Sequence, residues 1–166
     1  ATLCALVAAR EKVSNCKINE NGFDGTLRVY TSSQSHSSIE KAVKIAGIGS
    51  HNLRSIAVNN DFSMRPTELR RAIEQDIADG LIPAFVCATV GTTSSTAFDS
   101  ITEIGSICSE FGIWLHVDAA MAGSAAICPE YRFIHKGLEF AQSYCFNPHK
   151  FLLTNFDCSC FYVSDR

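Results

Sequence analysis

Several features of special-purpose chains are scarce in this sequence. Among 166 residues there are four prolines, two methionines and one tryptophan. No apolar run approaches the roughly 20 residues that a transmembrane helix requires. No basic stripe appears either. Fourteen Lys and Arg stand against 17 Asp and Glu, a formal charge of −3, with only short groupings such as Arg70-Arg71. Nucleic acid and an anionic membrane surface are therefore poor partners. No repeat, low-complexity tract or internal linker breaks the chain. What remains is an ordinary globular composition, 46% hydrophobic and 19% charged, with enough length for one domain with a substantial core.

Residues 1–10 have the apolar content of a signal-peptide core but lack its basic leading region, and charges follow at once. With no initiator Met and an abrupt finish at Ser164-Asp165-Arg166, the sequence reads as part of a longer protein. Its eight cysteines sit mostly inside apolar runs such as Phe85-Val86-Cys87-Ala88. There a thiol behaves as a small hydrophobe. A secreted disulfide framework belongs to shorter, loop-rich chains, so reduced, intracellular thiols are expected.

Helical and extended patterns alternate from end to end. Residues 2–12 are good helix formers, followed by a polar stretch over 15–21. Residues 27–31 alternate as a strand does. Over 36–46, Ile39, Val43 and Ala46 fall at helical spacing, with Gly47 as a stop. Residues 53–58 suit a second strand. A helix over 65–78 opens on Pro66, carries Leu69, Ile73 and Ile77 on one face, and ends at Gly80. The continuous apolar run 84–90 predicts a strand buried on both faces. Residues 101–111 predict a helix with Ile104, Ile107, Cys108 and Phe111 inward and Gly112 as its stop. Residues 114–117 and 143–146 read as short buried strands, and 158–163 as a longer one. The alternation predicts an α/β fold, a mostly parallel sheet flanked by helices, over residues 1–166.

In such sheets ligands collect beyond the carboxyl ends of strands. Three strand ends carry chemistry: the hydroxyl-rich turn Gly91-Thr92-Thr93-Ser94-Ser95-Thr96, the triplet Asp118-Ala119-Ala120, and Asn147-Pro148-His149-Lys150. Taken singly, each has an ordinary explanation in helix capping or a solvated charge. Together they suit a pyridoxal phosphate site. Lys150 offers a primary amine for condensation with an aldehyde. Asp118 offers the negative charge that keeps a pyridine nitrogen protonated. Ala119 and Ala120 allow a ring to lie close to the backbone. Asn147 and Thr93 offer hydrogen bonds, and His36 offers a flat ring for stacking.

The longer motifs carry a family resemblance. His116-Val117-Asp118-Ala119-Ala120, then Gly123-Ser124 and Ile127-Cys128-Pro129-Glu130-Tyr131-Arg132, resembles the aromatic-L-amino-acid decarboxylases, group II pyridoxal-phosphate-dependent enzymes. Downstream, Phe146-Asn147-Pro148-His149-Lys150 with Asn155-Phe156-Asp157-Cys158 is similar to the family's lysine motif. Ala88-Thr89-Val90-Gly91-Thr92-Thr93 and the segment around His36 match in the same order. Plant tyrosine and tryptophan decarboxylases and aromatic aldehyde synthases look nearest, and the resemblance covers essentially the whole chain.

This resemblance implies part of the large domain of the aspartate-aminotransferase-like, fold type I enzymes. It implies that Lys150 forms the Schiff base with pyridoxal 5'-phosphate, that Asp118 pairs with the pyridine nitrogen and that His36 stacks on the ring. Thr93 and Asn147 then contact the cofactor or its surroundings, Ala120 lies under the ring, and His149 is a neighbour. The implied reaction converts an aromatic L-amino acid to its amine and CO₂ in a cytoplasmic homodimer. Met121 stands where the family usually has Tyr, and Phe151 where Trp is usual. Both keep an apolar side chain, so altered packing or pocket shape is expected before lost cofactor binding. The phosphate-cupping turn, the mobile catalytic loop and the small C-terminal domain of the family fall outside these residues. The chain alone is therefore expected to be inactive.

Aldehyde formation at the same site and a non-catalytic remnant are the competing readings. Glutamate decarboxylases share the fold and lysine, but the segment around Cys128-Pro129-Glu130 favours the aromatic group. A metal site from His116, Asp118, His149 and Asp157-Cys158-Ser159-Cys160 lacks the second pair that zinc spacing requires, so no metal is expected. Cys158, Cys160 and Trp114 read as core.

Overall fold

The alternating patterns build one six-stranded sheet. In the computed structural model, which describes residues 1–165, the strands are β1 (Leu27–Ser32), β2 (Leu53–Ile56), β3 (Ile82–Thr89), β4 (Trp114–Asp118), β5 (Ser143–Phe146) and β6 (Cys160–Val163). Their order is β2-β1-β3-β4-β5-β6. All neighbours are parallel except β5 and β6, which run antiparallel. The helices are α1 (Thr2–Ser14), α2 (Lys17–Asn21), α3 (Ser38–Ile45), α4 (Pro66–Ala78), α5 (Ile101–Phe111) and α6 (Pro148–Phe151). The chain passes from β1 outward to β2, then returns across β1 to β3. That reversal makes a switch point between β1 and β3, where connecting loops part and leave a crevice at the carboxyl ends.

The central strands are apolar throughout because both faces are covered. Phe85 and Cys87 of β3 pack with Val29 against α1 and α3, whose Leu6, Ala9, Ile39 and Val43 are buried. Val86 and Ala88 point the other way, with Leu115 and Val117, into a second core closed by α4 and α5. Helix α5 shows why its boundaries are sharp. Ser100 caps its first turn by accepting from the Glu103 amide, and its hydroxyl donates to Glu103 Oε1 at 3.0 Å. Gly112, in the left-handed region at φ 67°, ends it.

The structure corrects several expectations. On α4 the inner face is Leu69, Ile73 and Asp76, while Ile77 is exposed. Asp76 is fully buried because it accepts from the Tyr30 hydroxyl at 2.8 Å and is paired with Arg54. Burial and that carboxylate push the Tyr30 phenol above its ordinary range. The polar stretch after α1 contains α2. Residues 123–140, without a predicted element, hold three short 3-10 turns. The last strand begins at Cys160, not at 158. Cys158, Cys160 and Trp114 are half-buried, and Cys4 and Cys16 are exposed, whereas Cys87, Cys108 and Cys145 are core thiols. No helix among the described residues is long and apolar enough to cross a membrane.

Candidate active site

The carboxyl ends of β1, β3, β4 and β5 open into one cavity of about 430 Å³, within the range of small-molecule sites. Six of the seven candidate residues line it: His36, Thr93, Asp118, Ala120, Asn147 and Lys150. His149 is the exception. Its Nδ1 accepts from the Cys158 amide at 3.0 Å and lies 3.5 Å from Asp157 Oδ1, while its ring packs on Phe156. Met121 lines the cavity, whereas Phe151 is exposed and does not. Among the described residues no cluster of His, Cys, Asp or Glu has metal-binding geometry.

Asp118 is held from behind. Its Oδ1 accepts from the Ala120 amide at 3.0 Å and from the Cys145 thiol at 3.7 Å. No hydrogen bond from a described residue reaches Oδ2. The parallel register sets Asp118 between Thr89 and Cys145, so its place depends on both neighbouring strands. The adjoining turn is equally constrained. Gly91 has φ 79°, and a side chain there would come within 2.5 Å of the Ala122 Cβ. Only glycine permits this close approach of the 91–96 turn to the segment after β4.

The loops after β1 and β3 are tied together. Ser95 donates to Gln34 Oε1 at 3.1 Å, and Ser95 and Thr92 share a 2.7 Å hydroxyl contact. Thr92 is buried and also accepts from the Ala97 amide, so within the hydroxyl run it shapes the turn while Thr93 reaches the cavity. His36 Nδ1 accepts from the Ser38 amide at 3.2 Å, which orients an exposed ring at the start of α3. On the far side, Asn147 Oδ1 accepts from Ser159 at 2.7 Å. Its amide nitrogen has no hydrogen bond to a described residue. Lys150, exposed on α6, shares that lining.

Four residues support the site from outside the predicted set. Asp99 is buried and accepts from the Met64 and Thr89 amides at 2.6 and 2.7 Å. Burial nevertheless pushes its carboxyl up to about 6. It anchors the end of β3. Gln34 joins two loops; Cys145 and His116 back Asp118. For Cys145 a signal exists: it stands two residues before Asn147, on the same face of an extended segment.

The chemical inventory fits pyridoxal phosphate. One cavity presents a primary amine, a carboxylate oxygen with no hydrogen-bond donor among the described residues, a small side chain at Ala120, an aromatic ring and amide and hydroxyl donors. The sequence pattern of the pyridoxal-dependent decarboxylase conserved domain matches residues 1–166. Mouse aromatic-L-amino-acid decarboxylase is 51% identical over 100% of this chain and 35% of its own length. Phenylacetaldehyde synthase of Petunia hybrida is 48% identical over 98% of this chain and 32% of its own. Animal and plant relatives thus lie at near-equal distance. The crystal structure of Oryza sativa TDC with PLP and tryptamine superposes with a TM-score of 0.92 at 43% identity, covering 98% of this chain and 34% of that one. The chain spans about a third of the length of the relatives it matches.

Proposed function

Because this chain belongs to the pyridoxal-dependent decarboxylase family, whose cofactor is pyridoxal phosphate, we propose that the cavity beyond β1, β3, β4 and β5 is its cofactor site. The whole protein then decarboxylates an aromatic L-amino acid to the amine and CO₂. The observation that carries this reading is the convergence of Lys150, Asp118, Ala120 and His36 on one cavity from three separate segments of the chain.

Each residue has a role that its geometry supports. Lys150 would hold the cofactor through its primary amine and would hold or return a proton near the substrate's α-carbon. Asp118, with Oδ1 held by the Ala120 amide and the Cys145 thiol, would offer its other oxygen to the ring nitrogen. A carboxylate there keeps the nitrogen protonated. Ala120 would leave space for the ring, and His36 would offer its imidazole for stacking. Thr93 and the Asn147 amide donate hydrogen bonds at the rim. When bound, the protonated ring supplies an electron sink for the pair left as the carboxylate departs.

Adding pyridoxal phosphate, reducing with borohydride and mapping peptides by mass spectrometry tests the site. A saturable adduct on Lys150 is the expected outcome. Labelling scattered over several lysines would refute an organised site and favour the non-catalytic reading. The similarity to a phenylacetaldehyde synthase supports a second reading, oxidative conversion to an aldehyde at this same site. Product analysis on the whole protein separates amine from aldehyde. Its sedimentation behaviour tests the homodimer, and fractionation of cells tests the cytoplasmic location.

A further inference from the structure

Behind Asp118, inside the sheet, lies a run of polar side chains that the proposed chemistry does not use. In the parallel pair of β4 and β5, His116 is in register with Ser143 and Asp118 with Cys145, and the Trp114 indole reaches Ser143 from the same face. His116 is fully buried, with Phe85 stacked 5.9 Å away on one side and Phe161 at 6.3 Å on another. A buried imidazole in such surroundings needs partners for both ring nitrogens. Its Nδ1 lies 2.9 Å from Ser143 Oγ. Its Nε2 lies 3.8 Å from Cys145 Sγ and 3.4 Å from Thr2 Oγ1.

Matching donors to acceptors gives this run a direction. The indole of Trp114 only donates, and it donates to Ser143 Oγ at 2.8 Å. The Ser143 hydroxyl accepts that bond and has one proton to give; the chain inferred below has it donate to His116 Nδ1. That leaves the neutral ring's proton on Nε2, shared between Cys145 and Thr2. The Cys145 thiol in turn donates to Asp118 Oδ1. Burial favours this form at both groups. Burial pushes the imidazole down to about 4, with Asp118's charge pulling the other way. Burial, followed by the charge of Asp118, pushes the Cys145 thiol up to about 12, so it stays protonated and able to donate.

We infer that His116, Ser143 and Cys145 are positioning residues for Asp118, forming one directed hydrogen-bond chain from the Trp114 indole to Asp118 Oδ1. Linked in this way, each bond polarises the next. The chain saturates the rear oxygen of Asp118 and turns the other one toward the cavity. This inference rests on Asp118 being the acid of the proposed cofactor site, but the chain itself exists without cofactor and is measurable there.

The deciding measurement is NMR of the cofactor-free chain with labelled His, Asp and Cys. Nitrogen shifts of His116 are expected to report a neutral ring protonated at Nε2. Ser143→Ala should redistribute that proton toward Nδ1, where the Ser143 main-chain carbonyl competes for it. The same substitution should move the carboxyl carbon signal of Asp118, two groups away. Cys145→Ala should move the Asp118 signal further, and Cys145→Ser should restore it. Thr2→Val should leave it in place. A wild-type ring protonated at Nδ1, or an Asp118 signal indifferent to both alanine variants, would overturn the chain.

A second arm reads cofactor affinity by equilibrium dialysis. Loss of one modest hydrogen bond in Cys145→Ala should weaken pyridoxal phosphate about two- to fivefold, with rescue by Cys145→Ser. If the unsubstituted chain takes up no cofactor, the functional reading falls, and the cofactor-free spectra still decide the chain.

Discussion

The acid and the amine of the candidate site belong to regions of unlike rigidity. Asp118 ends a strand that has neighbours on both sides and an apolar core on each face. Lys150 sits on a four-residue helix, and the residues after it are largely open to solvent, with Leu153 100% and Phe156 83% exposed. The acid is thus determined by sheet register, two strand partners and a backbone amide. The amine is placed by a few local bonds, including Lys150 N to Asn147 O at 3.0 Å and the Ser159–Asn147 contact. A region with few buried contacts opens at low free-energy cost. The two halves of one site therefore fail in different ways when perturbed.

Substitution at each end gives the largest contrast. Lys150→Ala should abolish the dominant borohydride-trapped adduct, leaving at most minor labelling of the other amines that line the cavity, Lys41 and the Ala1 terminus; a surviving adduct of equal yield would reassign the lysine. Asp118→Asn should leave cofactor bound to the whole protein while turnover falls on the order of 100-fold, the scale of losing one preorganised electrostatic partner. Near-normal turnover would remove Asp118 from the ring nitrogen.

Stability sharpens the same comparison. Ile104→Ala in the α5 core should cost about 3 kcal/mol in urea unfolding, as a buried aliphatic truncation does. Leu153→Ser, at a fully exposed position, should stay within about 0.5 kcal/mol. A cost as large as that of Ile104→Ala would show that the 151–165 region is packed in solution.

A smaller effect lies in the pH dependence of the rigid half, where two buried groups act in opposite directions. His116 titrates near 4 when folded, against an ordinary value of 6.5. The unfolded chain therefore takes up its proton first, and stability is lost as pH falls from about 6.5 toward 4. Asp99 titrates near 6 when folded, against 3.8. Here the folded chain takes up the proton first, and stability is gained as pH falls through 6 toward 4. Asp99→Asn removes that gain, so on acidification from pH 7 to about pH 5 the variant should lose about 1 kcal/mol more than its parent. Parallel urea midpoints for the two proteins would show that Asp99 keeps an ordinary carboxyl.

Much of the architecture is legible in residue type and spacing. The helix over 101–111 and the strand over 143–146 coincide with α5 and β5 residue for residue, because a capping serine, a terminal glycine and compact apolar runs are local signals. Ile77 departs from its expected place because periodicity counts only apolar residues. It has no means of knowing that Tyr30 and Arg54, from two other strands, offset the cost of burying Asp76. Adjacency groups His149 with Lys150, yet a short helix turns consecutive side chains apart, and the His149 ring meets the Cys158 amide instead. Asp99 and Cys145 carry no motif of their own. Their importance comes from what crosses over to meet them.

The sequence by itself determined which chemical groups this protein can bring to bear, and that they follow strands: amine, carboxylate, imidazole, hydroxyls and small side chains at strand ends. Those choices are local, written in residue type and spacing. Only the tertiary structure decided which atoms face the cavity. In Asp118, Ala120 and Cys145 occupy Oδ1, which leaves Oδ2 without a donor among the described residues. Asn147 presents its amide nitrogen because Ser159 holds its oxygen. The Asp118 assignment depends on parallel register with a residue 27 positions away along the chain, which long-range packing and hydrogen bonding set, and no local pattern encodes.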